Sequence, residues 1–187
     1  MRKTFINSLI IIIIIALSIG CGFLYDHIAD TYQRNKYPRE YNDTVSVLSL
    51  EYRVPTWAIY TTIKMRSDFD PSLKTEDGGI GLFSLTAEQY AEIGDELDLA
   101  VDAGLLYEPE TNLRFGTYWL SSLYIKYGNW DCVWAAIHIG EPTVDEWRWN
   151  ANYSNADGTL KNIPNEETAE YIENANEIAE IYRKLYD

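Results

Sequence analysis

One stretch of the sequence, residues 63–85, contains most of the side chains that could do acid-base chemistry. It reads IKMRSDFDPSLKTEDGGIGLFSL, a helix end followed by an Asp-Pro turn and a glycine-rich segment. Asp68 could act as a general acid or base if burial raised its pKa, although an aspartate at a helix end is more often a solvated cap. Arg66 has neither role, because a guanidinium keeps its proton below about pH 12.

His138 is the second candidate for moving a proton, since an ordinary imidazole has a pKa of about 6.5. A hydrogen-bonded structural histidine is the alternative interpretation, and it is the one we favour. The chain has only two cysteines, Cys21 and Cys132, and two histidines. These are too few and too scattered for a metal site or an internal disulfide, so we expect no metal and no cofactor.

The elements that must position these residues are helices, because apolar residues recur at helical spacing along most of the chain. Tyr41 to Tyr52 is one such face, and a second runs towards Arg66. Four features mark predicted helix ends: the Thr86 and Gln89 capping box, Gly128, the Thr143 and Glu146 pair, and Pro164. At most a small hairpin is expected near residues 153–161, so the predicted fold class is all-α.

The N-terminal segment, residues 7–25, is apolar and uncharged, and we predict that it crosses a membrane as one helix. Arg2 and Lys3 precede it, which by the positive-inside tendency places the rest of the chain outside the cytoplasm. A cleaved signal peptide and lipidation at Cys21 remain open as alternatives. The predicted organisation has three parts: an anchor over residues 1–25, a short linker over residues 26–36 and one domain over residues 37–187.

The chain carries a formal net charge of −14 over 187 residues. Such a charge disfavours nucleic acid and an anionic membrane surface as partners, because both would be repelled. It also suits solubility outside a cell, which is the simpler interpretation.

Most of the six tryptophans fall at a helical spacing typical of core packing. Trp147 and Trp149 are the two that we count towards a sugar-binding surface, since glycan-binding grooves use aromatic faces.

Three long segments, which between them carry four motifs in order, resemble one known family. They are residues 37–89 (YPREYNDTVSVLSLEYRVPTWAIYTTIKMRSDFDPSLKTEDGGIGLFSLTAEQ), residues 110–147 (ETNLRFGTYWLSSLYIKYGNWDCVWAAIHIGEPTVDEW) and residues 163–182 (IPNEETAEYIENANEIAEIY). Together they resemble the soluble-lytic-transglycosylase family. The resemblance implies a lysozyme-like all-α fold and an ancestry in cleavage of the peptidoglycan glycan.

The resemblance also implies one catalytic glutamate at the end of the second helix of the domain. That glutamate would protonate the glycosidic oxygen and then, as a carboxylate, take the proton of the sugar's 6-hydroxyl to close a 1,6-anhydro ring. Ser67, Phe69 and Pro71 keep the register of the family motif, which places Arg66 at the glutamate position. Arg66 can perform neither step.

Other matched positions of the family groove also differ in this chain. Ser84 stands where the family has Gln, and Ile137 and His138 stand where it has Tyr and Asn. Tyr171, near the end, is kept. The predicted substrate groove therefore contains six residues: Arg66, Ser67, Ser84, Ile137, His138 and Tyr171.

These residues predict a module of the cell membrane, single-pass with its C-terminal domain extracytoplasmic, that binds a peptidoglycan glycan strand or a cell-wall protein without cutting it. The alternative is an active lytic transglycosylase that cleaves the MurNAc-GlcNAc bond with a relocated acid, for which Asp68 and His138 are the candidates. A further alternative is an assembly or scaffold domain with no affinity for glycan.

Overall fold

The computed structural model describes residues 2–99 and 101–187, apart from the side chains of residues 2–16 and of Ala103. The chain forms two compact units, one ending at Pro38 and the other spanning Arg39–Asp187.

The first unit is built on one helix, α1 (Arg2–Lys36). Residues 26–36, predicted to be a short linker, continue this helix. They contain no glycine or proline to interrupt it, and the Arg34 Nε to Asp30 Oδ2 ion pair of 2.8 Å spans one of its last turns.

Within the part of the chain that the structure describes, no helix combines the length and apolar character needed to cross a membrane. The centre of the predicted anchor, residues 10–15, lies outside the described side chains.

The second unit is helical, as predicted. Its elements are α2 (Asn42–Tyr52), α3 (Thr56–Ser67), α4 (Ala87–Leu97), a 3₁₀ helix (Ala103–Tyr107), α5 (Pro109–Tyr127), α6 (Trp130–Ile139), α7 (Glu141–Trp149) and α8 (Glu166–Tyr186). The β-structure among its described residues consists of isolated bridges. The bridge between Ser154 and Leu160 closes the small hairpin expected near residues 153–161.

The core lies where α3 and α6 both pack on α8, while α2 packs on α5 and α6 on α7. The predicted apolar faces point into it: Val45 of α2 is fully buried, and Tyr60 of α3 stacks on Tyr182 of α8 with ring centroids 5.4 Å apart. Burial of these large side chains is the main stabilising term of the domain.

Two of the predicted helix ends are confirmed in detail. Thr86 Oγ1 accepts a hydrogen bond of 3.2 Å from Gln89 N, and Thr86 N donates one of 3.0 Å to Gln89 Oε1, which completes the capping box of α4. Gly128 ends α5 in the left-handed conformation with φ 64°. The last helix begins shortly after Pro164, with Asn165 as its N-cap.

The prediction that Thr143 and Glu146 cap a helix is wrong. Helix α7 starts three residues earlier than predicted, at Glu141 with Gly140 as its N-cap, because Gly140 turns the chain with φ 90° and Pro142 suits the first helical turn. Thr143 is thus inside the helix, and its hydroxyl lies 3.5 Å from the carbonyl oxygen of Ile139.

Candidate active site

Arg66 stands in the last turn of α3 and is half-buried. Its guanidinium donates hydrogen bonds to two successive backbone carbonyls, from Nε to Phe83 O at 3.3 Å and from Nη2 to Ser84 O at 2.8 Å. No ion pair of Arg66 with an acidic group is present among the described residues. The side chain is therefore fixed across the loop by uncharged acceptors, and its positive charge is not paired with a carboxylate at bonding distance.

The loop that offers these carbonyls is held from below by Asn112 of α5, which is fully buried. Asn112 Oδ1 accepts from Phe83 N at 2.7 Å, and Asn112 Nδ2 donates to Ile80 O at 2.8 Å and to Leu106 O at 3.0 Å. Gly81 adopts φ 73°, and a Cβ there would lie 2.4 Å from Asn112 Nδ2. Only glycine fits this contact, so position 81 tolerates no side chain in this loop conformation.

Ser84 contributes its backbone to the site, not its hydroxyl. The side chain is 1% exposed, and Oγ, which makes no hydrogen bond, faces Gly79, where an added Cβ would lie 2.2 Å from it. Ser84 also has φ 50°, a left-handed conformation that is costly for a serine. Ser84 thus lies beside Arg66, and the group that it presents to the guanidinium is a carbonyl oxygen.

Tyr171 of α8 and His138 of α6 lie side by side, with ring centroids 4.7 Å apart. Burial raises the pKa of Tyr171 to about 12, and the positive charge of Arg66 acts in the opposite direction. Tyr171 and His138 are therefore in ring contact, and the charge of Arg66 acts on Tyr171. Ile137, also predicted to line the groove, belongs instead to the core, because its side chain is only 6% exposed.

His138 is hydrogen-bonded to a neighbouring helix. Its Nδ1 lies 3.0 Å from Thr168 Oγ1, and the Thr168 hydroxyl donates to Asn165 Oδ1 at 2.9 Å. Because that hydroxyl hydrogen is already used, we assign a hydrogen to Nδ1 of His138. The Nδ1–H group then donates the hydrogen bond that Thr168 Oγ1 accepts. This arrangement matches the structural interpretation of His138. The sequence analysis did not identify Thr168. The signal that could have done so is Asn165, an N-cap residue type just before α8, whose side chain bonds Thr168.

Asp68 points away from the site. It follows the last residue of α3 with φ 49°, its side chain is 74% exposed, and it pairs with Lys64 one turn back. Ser67, the remaining predicted groove residue, uses its hydroxyl to bond Ile63 O at 3.1 Å. Neither residue presents a proton donor beside Arg66.

The acids of the following turn are held as carboxylates. The hydroxyl of Ser72 donates to Asp70 Oδ1 at 2.6 Å and lowers the pKa of Asp70. Thr75 likewise lowers the pKa of Asp77, with a smaller contribution from the charge of Arg66. A general acid needs the opposite shift. Among the described residues no cluster of three or more His, Cys, Asp or Glu could hold a metal ion.

This geometry, a helical domain with a loop pinned beneath the end of its second helix, is that of the lysozyme-like class. The chain matches the 70 kDa soluble lytic transglycosylase of Escherichia coli with a TM-score of 0.72 at 24% identity, over 87% of this chain and 26% of that one. It matches an inactive Glu-to-Gln mutant of the lytic transglycosylase Slt of Pseudomonas aeruginosa with a TM-score of 0.73 at 22% identity, over 81% and 25%.

The sequence comparisons then give the family. The model of the transglycosylase SLT domain matches residues 43–159, and the chain belongs to that family. The soluble lytic murein transglycosylases of Escherichia coli K12 and Salmonella typhimurium LT2 are 26% identical over 172 residues and 28% identical over 168 residues. Each alignment covers 87% of this chain and 25% of the relative, so the chain spans about a quarter of the length of these curated relatives.

Proposed function

We propose that this chain is a membrane-anchored, extracytoplasmic transglycosylase-like domain that binds the glycan strand of peptidoglycan and does not cleave it. The observation that carries the proposal is Arg66, at the position where the family resemblance implies the glutamate, bonded to the carbonyls of Phe83 and Ser84. A guanidinium in this place can neither protonate a glycosidic oxygen nor accept a hydroxyl proton.

Peptidoglycan as the ligand class follows from the family and from its curated relatives, whose names give murein as the polymer they act on. One solved relative is described as inactive with a single Glu-to-Gln change. Asn112 bonds two backbone groups of the loop beside the site, and Gly81 packs closely on Asn112. This well-bonded loop supports the proposal of a binding surface.

Arg66 also gives the site a charge suited to a ligand carboxylate. A guanidinium has five N–H donors, and two of those of Arg66 bond carbonyl oxygens in the described part of the chain. The remaining donors are the groups that we propose for a ligand. A stem-peptide or lactyl carboxylate of peptidoglycan could accept from them, a charge-assisted contact of about 1.5 to 3 kcal/mol when desolvated.

The membrane anchor is a proposal from the sequence of residues 7–25, and the helical backbone of Arg2–Lys36 supports it, because a helix bonds its own peptide groups. Arg2 and Lys3 favour an orientation with the domain outside the cytoplasm.

The test is mass spectrometry of soluble products after the full chain is incubated with purified peptidoglycan. The natural chain is expected to release no 1,6-anhydro muropeptide above a blank without protein, while still co-sedimenting with the insoluble polymer. Arg66→Glu is expected to release it, since a carboxyl group then stands at the reacting position. Arg66→Gln is the matched control, because it removes the charge without supplying an acid.

Each contrary outcome identifies what is wrong. Product from the natural chain would mean that another acid acts, and Asp68→Asn and His138→Gln would show which. Absence of co-sedimentation would favour the assembly or scaffold role. Product from Arg66→Gln as well as Arg66→Glu would show that removing the arginine suffices, so position 66 would not supply the acid.

A further inference from the structure

A second concave surface lies between α2, the 3₁₀ helix and the start of α5, and it shares no lining residue with the Arg66 site. This groove has a volume of about 580 Å³. Its floor is made of the buried side chains of Leu48, Tyr90 and Phe115, and the rings of Tyr90 and Phe115 pack with their centroids 4.3 Å apart. Because these side chains are held in the core of the domain, the groove is formed before any ligand arrives.

Exposed apolar side chains are concentrated around this groove. Val47, Leu99 and Leu105 line it and are 60%, 44% and 44% exposed. Leu50 lies one turn after Val47 on the same side of α2 and is 83% exposed. Most of the exposed large apolar side chains described in the second unit belong to α2 or to residues 99–107, namely Val47, Leu50, Leu99, Val101, Leu105 and Tyr107. Such a concentration is typical of an interaction surface, whereas single exposed apolar residues are ordinary.

The charged groups at the rim of the groove favour a cationic partner. Asp43 and Glu110 stand in the first turns of α2 and α5, and among the described residues neither takes part in an ion pair. Arg114, the one cation among the described lining residues, is already paired, because its Nη1 lies 3.0 Å from Glu51 Oε1. The rim therefore presents two open carboxylates, in a chain whose formal net charge is −14. Such a charge attracts cations and repels anions.

The shape and the charge of the groove together select the kind of partner. The groove lies between α2 and α5, which pack on each other, and a helix laid along it would bury side chains spaced i, i+3, i+4 and i+7. A second copy of this acidic domain is a poor occupant, because carboxylates of the two copies would repel each other. Nucleic acid is a poor occupant for the same reason.

We propose that this groove docks an amphipathic helix of a partner protein, one whose apolar face is flanked by Lys or Arg. The apolar side chains of that helix cover Val47, Leu99 and Leu105, and so remove their exposed surface from water. Its cations lie against Asp43 and Glu110 and make charge-assisted contacts at the rim. This surface is independent of the Arg66 site, so either proposal can fail without the other.

The experiment measures the fluorescence anisotropy of a labelled model peptide of leucine and lysine, ordered so that its leucines form one face of a helix. The full chain is held in nanodiscs of phosphatidylcholine, and empty nanodiscs are the blank. The natural chain is expected to bind the peptide saturably. A peptide of the same composition in scrambled order should bind about tenfold more weakly or worse, because it has no single apolar face. The same peptide with glutamate in place of lysine should not bind, since the acidic rim repels it.

Variants of the chain then locate the binding surface. Val47→Ser combined with Leu105→Ser should weaken binding about tenfold or more, because the apolar walls are removed. Asp43→Asn combined with Glu110→Gln should weaken it less and should reduce its dependence on salt. Ile125→Ser, at a residue of α5 that is 81% exposed and does not line the groove, is the matched control and should bind as the natural chain does.

The substituted side chains are exposed, so the fold should stay intact, and the thermal unfolding midpoint of each variant verifies this. The proposal is overturned if the natural chain gives no saturable binding, or if the variant without Val47 and Leu105 binds as tightly. It is also overturned if the scrambled peptide binds as tightly, since charge alone would then account for the affinity. A cross-linked dimer of the natural chain that is lost in the variant without Val47 and Leu105 would overturn it too, because a second copy would then occupy the groove.

Discussion

The loop beneath Arg66 and the side chains that border it from above are held in different ways. Below, Asn112 is wholly buried and makes three hydrogen bonds to backbone groups of the loop and of Leu106, and Gly81 leaves no room for a side chain. Above, Arg66 and His138 are each in contact with solvent. In the described part of the chain, Arg66 bonds residues 83–84 of the loop, and His138 bonds Thr168 of α8.

The difference shows which of these residues can be exchanged without loss of the fold. A buried group that satisfies several partners cannot be exchanged without orphaning them, whereas a group at a solvent-facing surface can be exchanged with its partners still able to bond water. Arg66 belongs to the second kind, because it is half-buried and its guanidinium bonds two backbone carbonyls. The comparison makes separate predictions for the two regions.

The largest effect is expected from Asn112→Ala. It removes three hydrogen bonds and takes the Asn112 partner from the buried amide of Phe83 and from the carbonyl of Leu106, while Ile80 O keeps its bond from Leu85 N. The free energy of unfolding should therefore fall by about 3 to 5 kcal/mol. Urea denaturation measures it. Asn162→Ala is the matched control: Asn162 is exposed and its Nδ2 donates one bond, to Asn152 O at 2.9 Å, so about 1 kcal/mol or less should be lost. Equal losses for the two would contradict the comparison.

Arg66→Ala should have a smaller effect, a loss of about 1 to 3 kcal/mol in the free energy of unfolding, because two bonds from a half-buried charged group are removed. Arg66→Lys should recover part of that loss, since an ammonium can reach one carbonyl but lacks the fork that reaches two. A gain in stability on Arg66→Ala would instead show that Arg66 destabilises the fold. Arg66 would then be a residue kept for binding and not for stability.

How much of this could be predicted from sequence depends on how local the interaction is. The Thr86 and Gln89 capping box, the left-handed Gly128 and the apolar face of α2 are set by residues within a few positions of one another, and all were predicted correctly. The Thr143 cap failed because Gly140 and Pro142 compete for the same helix start and their backbone preference wins.

The site was predicted less completely. The family resemblance gave Arg66, His138 and Tyr171, which the structure brings together, but it gave no means of telling that Ser84 presents a carbonyl and buries its hydroxyl. Asn112 bonds Phe83 across 29 positions of sequence, and such a contact has no periodic signal. A side-chain hydrogen bond to a backbone group far away in the sequence can be identified only from the folded structure.

The smallest effect at neutral pH is expected from Tyr171→Phe, and its signature is at alkaline pH. The folded pKa of Tyr171, about 12, lies above the ordinary value of about 10. Below about pH 10 the phenol is protonated in both states, so its contribution to stability does not vary. Between about 10 and 12 the unfolded state loses its proton first, so stability falls as pH rises. Tyr171→Phe should therefore flatten this part of the stability curve, measured by urea denaturation across that range.

The same phenol also tests whether Arg66 and Tyr171 share one site. Since the charge of Arg66 opposes the rise in the Tyr171 pKa, Arg66→Gln should raise that pKa further. Phenolate absorbance, taken as the difference between each chain and its Tyr171→Phe partner, isolates this group. Tyr127 of α5 is the matched control. Burial raises its pKa to about 12 as well, but the charges that act on it are those of Lys126 and Asp145, so it should titrate identically with and without Arg66. An unchanged Tyr171 titration in Arg66→Gln would mean that the arginine charge does not reach the tyrosine, and the two residues could not then act on one ligand group.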